Sequence, residues 1–412
     1  ALIITEKVHR TIVGIVGAML MILFGVLDQE TAIRHIDFNT LGLLMGMMII
    51  VNITSETGLF NFLAIWSAKK VKARPISLLV ALSALTMVCS AFLDNVTTVL
   101  LTVPITFSIT AQLKVDVKPY LISQILASNI GGTATLIGDP PNIMIGSAVK
   151  ELTFVAFIEN LTPVVILCMA AVLFVMDVLY RKQMVTKPEL QAEIMQMDET
   201  KSLKDRKLLA RSLFVLGLTI LGFFTHSFTH IESSVVALFG AFLLLLLAGG
   251  SQHDVDFSMR KVEWATIFFF IGLFVAVGGL SETGVIRDLA TGAVALTEGD
   301  VTKTSLLVLW LSALVSSVLD NIPFVATLIP LIQDMGQMGL SNLDPMWWSL
   351  ALGACLGGNG TLIGASANVV VASMAAQRGK QISFLGFMKI AFPIMIMTIA
   401  VSSVYVWLRY LL

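Results

Sequence analysis

A twelve-residue stretch rich in glycine, hydroxyl residues and proline occurs twice in the chain, once in each half. Gly131 to Asn142 reads GGTATLIGDPPN and returns 226 residues later as Gly357 to Asn368, with seven of its twelve positions unchanged. Both copies lie in apolar segments suited to a bilayer, yet glycine and proline at this density interrupt a helix. Non-helical backbone inside a membrane must be buried in protein or line a water-filled cavity. The paired interruption therefore points to the binding centre of a secondary transporter.

The composition indicates a membrane protein. Hydrophobic residues make up 57% of the 412 residues and charged residues 13%, with a mean hydropathy of +0.90. These values lie outside the range of soluble globular proteins. The net charge of -1, without basic stretches that carry interleaved aromatics, argues against a nucleic-acid partner.

Chemistry-bearing motifs of other protein classes are missing from the sequence. The three cysteines, Cys89, Cys168 and Cys355, lie in apolar segments at no metal-ligand spacing, so we expect neither disulfides nor a metal site. No nucleotide-binding loop or catalytic triad is recognisable. We therefore predict that the protein is not an enzyme and has no cofactor and no catalytic residues.

The repeated stretch belongs to a longer duplication. At the same spacing Ser55 to Gly58 returns as Ser281 to Gly284, and Leu93-Asp94-Asn95 returns as Leu319-Asp320-Asn321. Basic loops follow the first-half spans, whereas the equivalent second-half loops are acidic, so the positive-inside rule places them on opposite sides. The sequence predicts an all-α polytopic membrane protein of two inverted-topology repeats, each with a re-entrant hairpin and a broken transmembrane helix. Two helices that each cross the whole membrane, in place of each hairpin, would also leave the flanking loops on the same side, so the charges do not distinguish these two possibilities.

The loops also predict the domain boundaries. We expect the first repeat over 1–180, a cytoplasmic linker with one unpaired helix over 181–230, and the second repeat over 231–412. The linker is the most basic loop, so we expect it on the cytoplasmic side, and the N-terminus with it. We predict a multi-pass protein of the inner (plasma) membrane. The first apolar run is of spanning length and no small-residue cleavage site follows it, so we expect no cleavable leader.

Asp94 and Asp320 are the strongest single-residue signals. A carboxylate within a membrane segment costs about 2.5 to 3.5 kcal/mol on insertion scales, so it needs a function or a partner. Binding of a proton or cation at a hairpin tip is one explanation, and capping of the helix that leaves the tip is the other. Asp139, whose counterpart is Ala365, lies at the first break, and both explanations stay open for it as well.

Amide and hydroxyl side chains flank the predicted tips and breaks. Such groups can hydrogen-bond a neutral hydroxylated substrate without demanding a net charge, and the broken helices hold no basic cluster for a polyanion. Burial disfavours the charged form of a carboxylate, which suits the aspartates to carrying protons. The predicted substrate-binding residues are Asn95, Thr135, Asn142, Asn321, Thr361 and Asn368, and the predicted proton- or ion-coupling residues are Asp94, Asp320 and Asp139.

The sequence Leu93-Asp94-Asn95-Val96-Thr97-Thr98 followed by Pro104, together with Gly131 to Asn142, resembles the ion transporter superfamily. The resemblance is greatest to the branch of arsenite permeases, sodium/proton antiporters and pink-eyed dilution protein relatives, and it covers nearly the whole chain. It implies a scaffold domain, a transport domain, elevator-like movement and a homodimer, and it raises the possible partnership of a separate ATPase subunit. The superfamily's divalent anion/sodium symporters have a Ser-Asn-Thr motif at the hairpin tip that lacks the aspartate.

We therefore predict proton-coupled efflux of a trivalent metalloid, arsenite or antimonite. The expected partners are this small inorganic substrate, protons and the lipid bilayer. Sodium/proton antiport by the same aspartates is the main alternative, and transport of an anion is a second. In the second repeat Pro323 and Phe324 replace Thr97 and Thr98, so fewer oxygens are available there for a sodium ion.

Overall fold

The computed structural model describes residues 8–412, apart from the side chains of Ser227 and His253, and this part of the chain contains helices but no strand. The first half contains α1 (Arg10–Leu23), α2 (Gln29–Arg34), α3 (Phe38–Glu56), α4 (Leu59–Lys70), α5 (Pro75–Phe92), α6 (Asn95–Leu113), α7 (Lys118–Gly132), α8 (Pro140–Ala148) and α9 (Phe154–Tyr180). The linker contains α10 (Pro188–Met195) and a 3-10 turn (Glu199–Ser202), and α11 (Arg206–Thr229) follows it. The second half contains α12 (Ser233–Ala248), α13 (Gln252–Arg260), α14 (Trp264–Glu282), α15 (Val285–Thr297), α16 (Val301–Ser316), α17 (Asn321–Gln337), α18 (Asp344–Gly357), α19 (Ser366–Gln377) and α20 (Phe384–Val406), which continues as a π turn (Trp407–Leu411).

The helices repeat with the spacing of the sequence duplication. Helices α3 and α14 begin and end at equivalent residues, and so do the tips of the hairpins α5–α6 and α16–α17, where α6 and α17 begin. Helices α7 and α18 begin at equivalent residues and end within one residue of each other in the repeat, and α8 and α19 also begin at equivalent residues. Seven of the described helices are long and apolar enough to cross a membrane, namely α3, α5, α6, α9, α11, α14 and α20 with its π turn. The predicted fold class is confirmed. The domain bounds at 180 and 230 stay a prediction.

Glycine and proline shape both breaks. α8 begins at Pro140, whose fixed φ suits a first helical turn and whose missing N–H is not needed there. At the end of α7, a Cβ on Gly131 would lie 2.2 Å from the carbonyl oxygen of Met87 in α5. A Cβ on the equivalent Gly357 would lie 2.5 Å from the carbonyl oxygen of Ala313 in α16. The glycines therefore let each hairpin touch its broken helix at the backbone.

Gly131→Ala is expected to destabilise the protein by at least about 1–3 kcal/mol, the usual cost of overpacking, because the atom that the new methyl group meets belongs to the backbone. The matched control is Gly217→Ala in α11, where an added Cβ meets nothing within 4 Å. Thermal unfolding in detergent, followed by size-exclusion chromatography, measures both variants. Equal unfolding midpoints for the two would contradict the close packing at Gly131.

The helices form two groups. We call α1, α3, α11, α12 and α14 the framework, in which α1 lies against α14 and α12 lies against α3. We call the two hairpins, the two broken helices, α9 and α20 the core, since these elements pack on one another. Helices α4 and α15 follow α3 and α14 and pack against the hairpins, so they link the two groups.

The core does not sit symmetrically on the framework. Helix α8 packs against α3, and α17 packs against α14. In the repeat, the equivalent helix pairs are α19 with α14 and α6 with α3. Both pairs lie within the described part of the chain, and each makes at most marginal contact. The two repeats share one fold, yet they contact the framework differently.

Candidate functional site

Both hairpin tips place an aspartate at the N-cap of the second arm. Asp94 accepts hydrogen bonds from the backbone N–H groups of Val96, at 2.8 Å, and Thr97, at 3.2 Å, and from the Thr97 hydroxyl. Asp320 accepts a hydrogen bond from the backbone N–H of Ile322 at 3.2 Å. Capping is therefore one role of both residues, as one of the two sequence-based explanations expects.

Asp139 differs from the two tip aspartates. It stands at the N-cap position of α8 and is 1% exposed, yet its side chain makes no capping hydrogen bond. Its two carboxylate oxygens lie 3.4 and 3.5 Å from the amide nitrogen of Asn321. Those contacts are long, so most of the acceptor capacity of this buried carboxylate is open to a proton or a ligand. Capping does not explain Asp139.

A small cavity of about 40 Å³ lies between the core and the framework. From the core, the carboxylates of Asp94 and Asp139 and the amides of Asn95 and Asn321 meet there, and Glu263, immediately before α14, adds a third carboxylate. Low-dielectric surroundings make such a group of carboxylates favourable for cations or protons. The lining residues are Arg10, Leu44, Met48, Asp94, Asn95, Val96, Asp139, Pro140, Glu263, Thr266, Asn321, Ile322, Ala365 and Ser366.

Arg10 supplies a cation at this cavity and was not predicted from the sequence. Its guanidinium pairs with Asp320, donates to the Ser366 hydroxyl at 3.0 Å and lies 5.0 Å from the centre of the Phe269 ring. Glu263, which accepts a hydrogen bond from the Thr266 hydroxyl at 3.1 Å, was also missed. Arg10 begins α1 and Glu263 immediately precedes α14, where a charged residue is common, so no local sequence signal distinguishes them.

Behind the tips, asparagine amides connect the two halves of the chain. Asn95 donates to Asn129 at 3.2 Å, and Asn129 donates to Asn359 and Asn368, both at 3.0 Å. Asn129 and Asn359 were not predicted as site residues. The counterpart of Asn129 in the second repeat is Cys355, so the residue type is not repeated and the duplication does not mark this position as a site residue.

Four of the predicted substrate-binding residues lie behind the cavity. The amide of Asn142 donates to the carbonyl of Thr135 at 2.9 Å, and that of Asn368 donates to the carbonyl of Thr361 at 2.8 Å. The hydroxyls of Thr135 and Thr361 donate to backbone carbonyls at the end of the facing hairpin arm. These side chains satisfy backbone groups freed at the breaks. A substrate-binding role for all six residues stays a prediction, and Asn95 and Asn321 are the two that line the cavity.

Comparison with known proteins identifies several relatives. The chain matches the family model described as CitMHS, citrate transporter, over residues 1–353. A protein of Mycobacterium tuberculosis named as an uncharacterized transporter is 40% identical over 415 residues, which cover 99% of this chain and 96% of the relative. The human P protein is 34% identical over 488 residues, which cover 98% of this chain and 58% of P protein.

The fold has a counterpart among solved structures. The crystal structure of the Alcanivorax borkumensis YdaH transporter aligns with a TM-score of 0.63 and 16% sequence identity. The alignment covers 98% of this chain and 99% of that transporter. At this identity the likeness concerns the fold alone, and it supports the all-helical architecture.

Proposed function

Because the chain belongs to the CitMHS family within the ion transporter superfamily and is a multi-pass membrane transporter, we propose that it exports a trivalent metalloid hydroxide in exchange for protons. In this proposal the core moves against the framework in an elevator-like manner across the inner membrane, with the N-terminus in the cytoplasm. One observation carries the proposal, namely the convergence of the Asp94, Asp139 and Glu263 carboxylates on one cavity.

The charge of the cavity favours a neutral or cationic substrate. Although the family model carries the description of a citrate transporter, a tricarboxylate here would meet three carboxylates of like charge, which repel it strongly at low dielectric. The guanidinium of Arg10 is already paired with Asp320. Arsenous acid is neutral at physiological pH, and its hydroxyls can bond to the Asn95 and Asn321 amides and to the carboxylates.

Asp139 is the best candidate for the proton carrier. Moving a charged carboxylate through the membrane interior is costly, so the core crosses more readily when Asp139 is protonated or neutralised by a bound cation. The hydrogen-bond donors beside Asp139 are the distant Asn321 amide and the Cys355 thiol, a weak donor. In contrast, both oxygens of Asp94 accept hydrogen bonds from Val96 and Thr97. Exchange of a proton for substrate at Asp139 would couple the two fluxes.

Sodium/proton antiport is the second candidate, and the same group of carboxylates favours it. A sodium ion, like other hard cations, requires several oxygens that converge on one point. Both Asp94 oxygens already accept hydrogen bonds, from the N–H groups of Val96 and Thr97 and from the Thr97 hydroxyl. These commitments leave fewer oxygens for a bare cation, so they favour metalloid export over sodium exchange.

Asn321→Ala is expected to weaken substrate affinity by roughly fivefold, the value of one hydrogen bond of about 1 kcal/mol, with little change in protein abundance. The matched control is Asn52→Ala, which removes a framework amide that donates to the Lys261 carbonyl at 3.1 Å, away from the cavity. Concentration dependence of metalloid uptake into everted vesicles gives both affinities. Equal affinities for the two variants would place the substrate elsewhere.

A growth assay tests the choice of substrate. Expression in a host that lacks its own arsenite exporter is expected to raise the tolerated concentration of arsenite and antimonite, because export lowers the internal concentration. In a host that lacks sodium exporters, the same expression should not improve growth in high sodium. Rescue from sodium with no rescue from either metalloid would reverse the order of the two candidate functions.

A further inference from the structure

Arg10 connects the framework to the core through a charge. The side chains of Arg10 and Asp320 are 28% and 16% exposed, and the Ser366 hydroxyl donates to Asp320 at 3.3 Å while it accepts from Arg10 at 3.0 Å. Asp320 belongs to the tip of the second hairpin, and Ser366 begins α19, so both acceptors move with the core. An ion pair that is partly buried in this way is screened less than a fully exposed pair.

The framework holds Arg10 firmly in place. The hydroxyl of Thr11 donates to the Ala265 carbonyl at 2.7 Å, which ties the first turn of α1 to the first turn of α14. Farther along, a Cβ on Gly272 would lie 2.4 Å from the carbonyl carbon of Gly14, so the two helices touch at the backbone. Arg10 therefore cannot follow Asp320 if the core moves along the framework.

The duplication predicts what Asp320 meets in the other arrangement. Exchange of the conformations of the two inverted repeats generates the opposite state of such a transporter. Every framework residue then exchanges roles with its counterpart, so Asp37 replaces Glu263 beside the tips. The counterpart of Arg10 is Val236, which carries no charge. In the opposite arrangement, therefore, neither Asp94 nor Asp320 has an arginine of the framework as its partner.

We propose that Arg10 is a state-dependent counter-ion, which neutralises Asp320 only in the arrangement described above and leaves it to a proton or transported cation in the opposite one. The inference rests on the proposed transport function, since it requires two states. It assigns Asp320 a different task from Asp139: Asp320 is neutralised by the protein itself in one state and by the coupling ion in the other. Arg10 thereby acts as a positioning residue for ion release.

Two cysteine pairs distinguish the two arrangements without measuring transport. The Asn39 amide lies 3.2 Å from the Ser147 hydroxyl, across the contact between α3 and α8, so Asn39→Cys with Ser147→Cys should cross-link in the arrangement with Arg10 on Asp320. The equivalent pair, Ala265→Cys with Ser373→Cys, should cross-link in the opposite one. Both pairs are introduced into full-length protein in membranes, with the three native cysteines replaced by alanine.

Arg10→Gln is expected to lower the ratio of the first cross-link to the second by about tenfold, as expected for the loss of one charged hydrogen bond. Lys261→Gln is the matched control. It breaks the pair between Lys261, which lies between α13 and α14, and Glu56, the last residue of α3, and it should leave the ratio unchanged. Asp320→Asn should shift the ratio as Arg10→Gln does, and the double variant should shift it no further.

The outcomes separate this inference from the proposed function. If both pairs cross-link in the parent protein but neither Arg10→Gln nor Asp320→Asn changes their ratio, the counter-ion role is wrong and alternating access stands. If the second pair never cross-links in any variant, the two-state transport mechanism itself is wrong. Should Arg10→Gln fail to fold, Asp320→Asn alone tests the loss of the charge pair, and Arg10→Lys, which keeps the positive charge, should leave the ratio near that of the parent protein.

Discussion

Asp139→Asn is expected to abolish proton-coupled transport and to leave folded protein in the membrane. Asparagine has the shape of aspartate and can still contact Asn321, but it cannot bind and release a proton in the transport cycle. The equivalent position in the second repeat is Ala365, so a break of this kind does not need a carboxylate to form. Loss of a positioned proton-transfer group typically costs about 100-fold or more in rate.

Substrate-driven proton flux in proteoliposomes, followed with an internal pH dye, measures the effect of Asp139→Asn. The matched control is Asp205→Asn, because Asp205 caps α11 through the N–H groups of Lys207 and Leu208 and lies outside the cavity. That variant should retain the flux, since asparagine is an equally good N-cap residue. Unchanged flux in Asp139→Asn would show that the protons use other groups.

Asn129→Ala is expected to cause the largest loss of stability of any single amide replacement in the core. It removes the acceptor of Asn95 and the donor to Asn359 and Asn368, all of which are buried. Each buried polar group left without a partner costs about 1–3 kcal/mol, so the free energy of unfolding should fall by several kcal/mol. Transport should fall with it, because Asn129 joins the first hairpin tip to the second break.

Cys355→Ala is the matched control, since Cys355 occupies the equivalent position in the second repeat. Its thiol makes a long contact of 3.6 Å with the Asn142 side-chain oxygen, and sulfur is a weak donor, so its removal should cost much less. Thermal unfolding of the purified variants compares the two. A similar loss of stability in both would mean that packing, and not the amide network, supports the centre of the protein.

The parts of the fold predicted from the sequence are those with a local cause. Proline and glycine fix the breaks because they limit or free the backbone at one position, as at Pro140 and Gly131. Asp94 and Asp320 were predictable as special residues because a charge in an apolar segment is costly wherever its partner lies. The duplication then placed both on hairpin tips.

The parts that were missed depend on contacts between distant segments. Arg10 and Asp320 are 310 residues apart, and no local pattern at either indicates the other. The Asn129 network was missed because its counterpart Cys355 carries no amide. The side chains of Asn142 and Asn368 turn towards the break carbonyls, because backbone acceptors freed inside a membrane need donors. The sequence pattern alone does not reveal that orientation.

Metalloid accumulation in everted membrane vesicles tests the central claim most directly. With respiration driving protons into the vesicles, arsenite or antimonite should accumulate inside, collapse when a protonophore is added and persist when sodium is omitted. The same vesicles made with Asp139→Asn protein should accumulate none above the background of vesicles without the protein. Dissipation of the proton gradient by sodium, with no metalloid accumulation under any condition, would contradict metalloid efflux and establish sodium/proton exchange in its place.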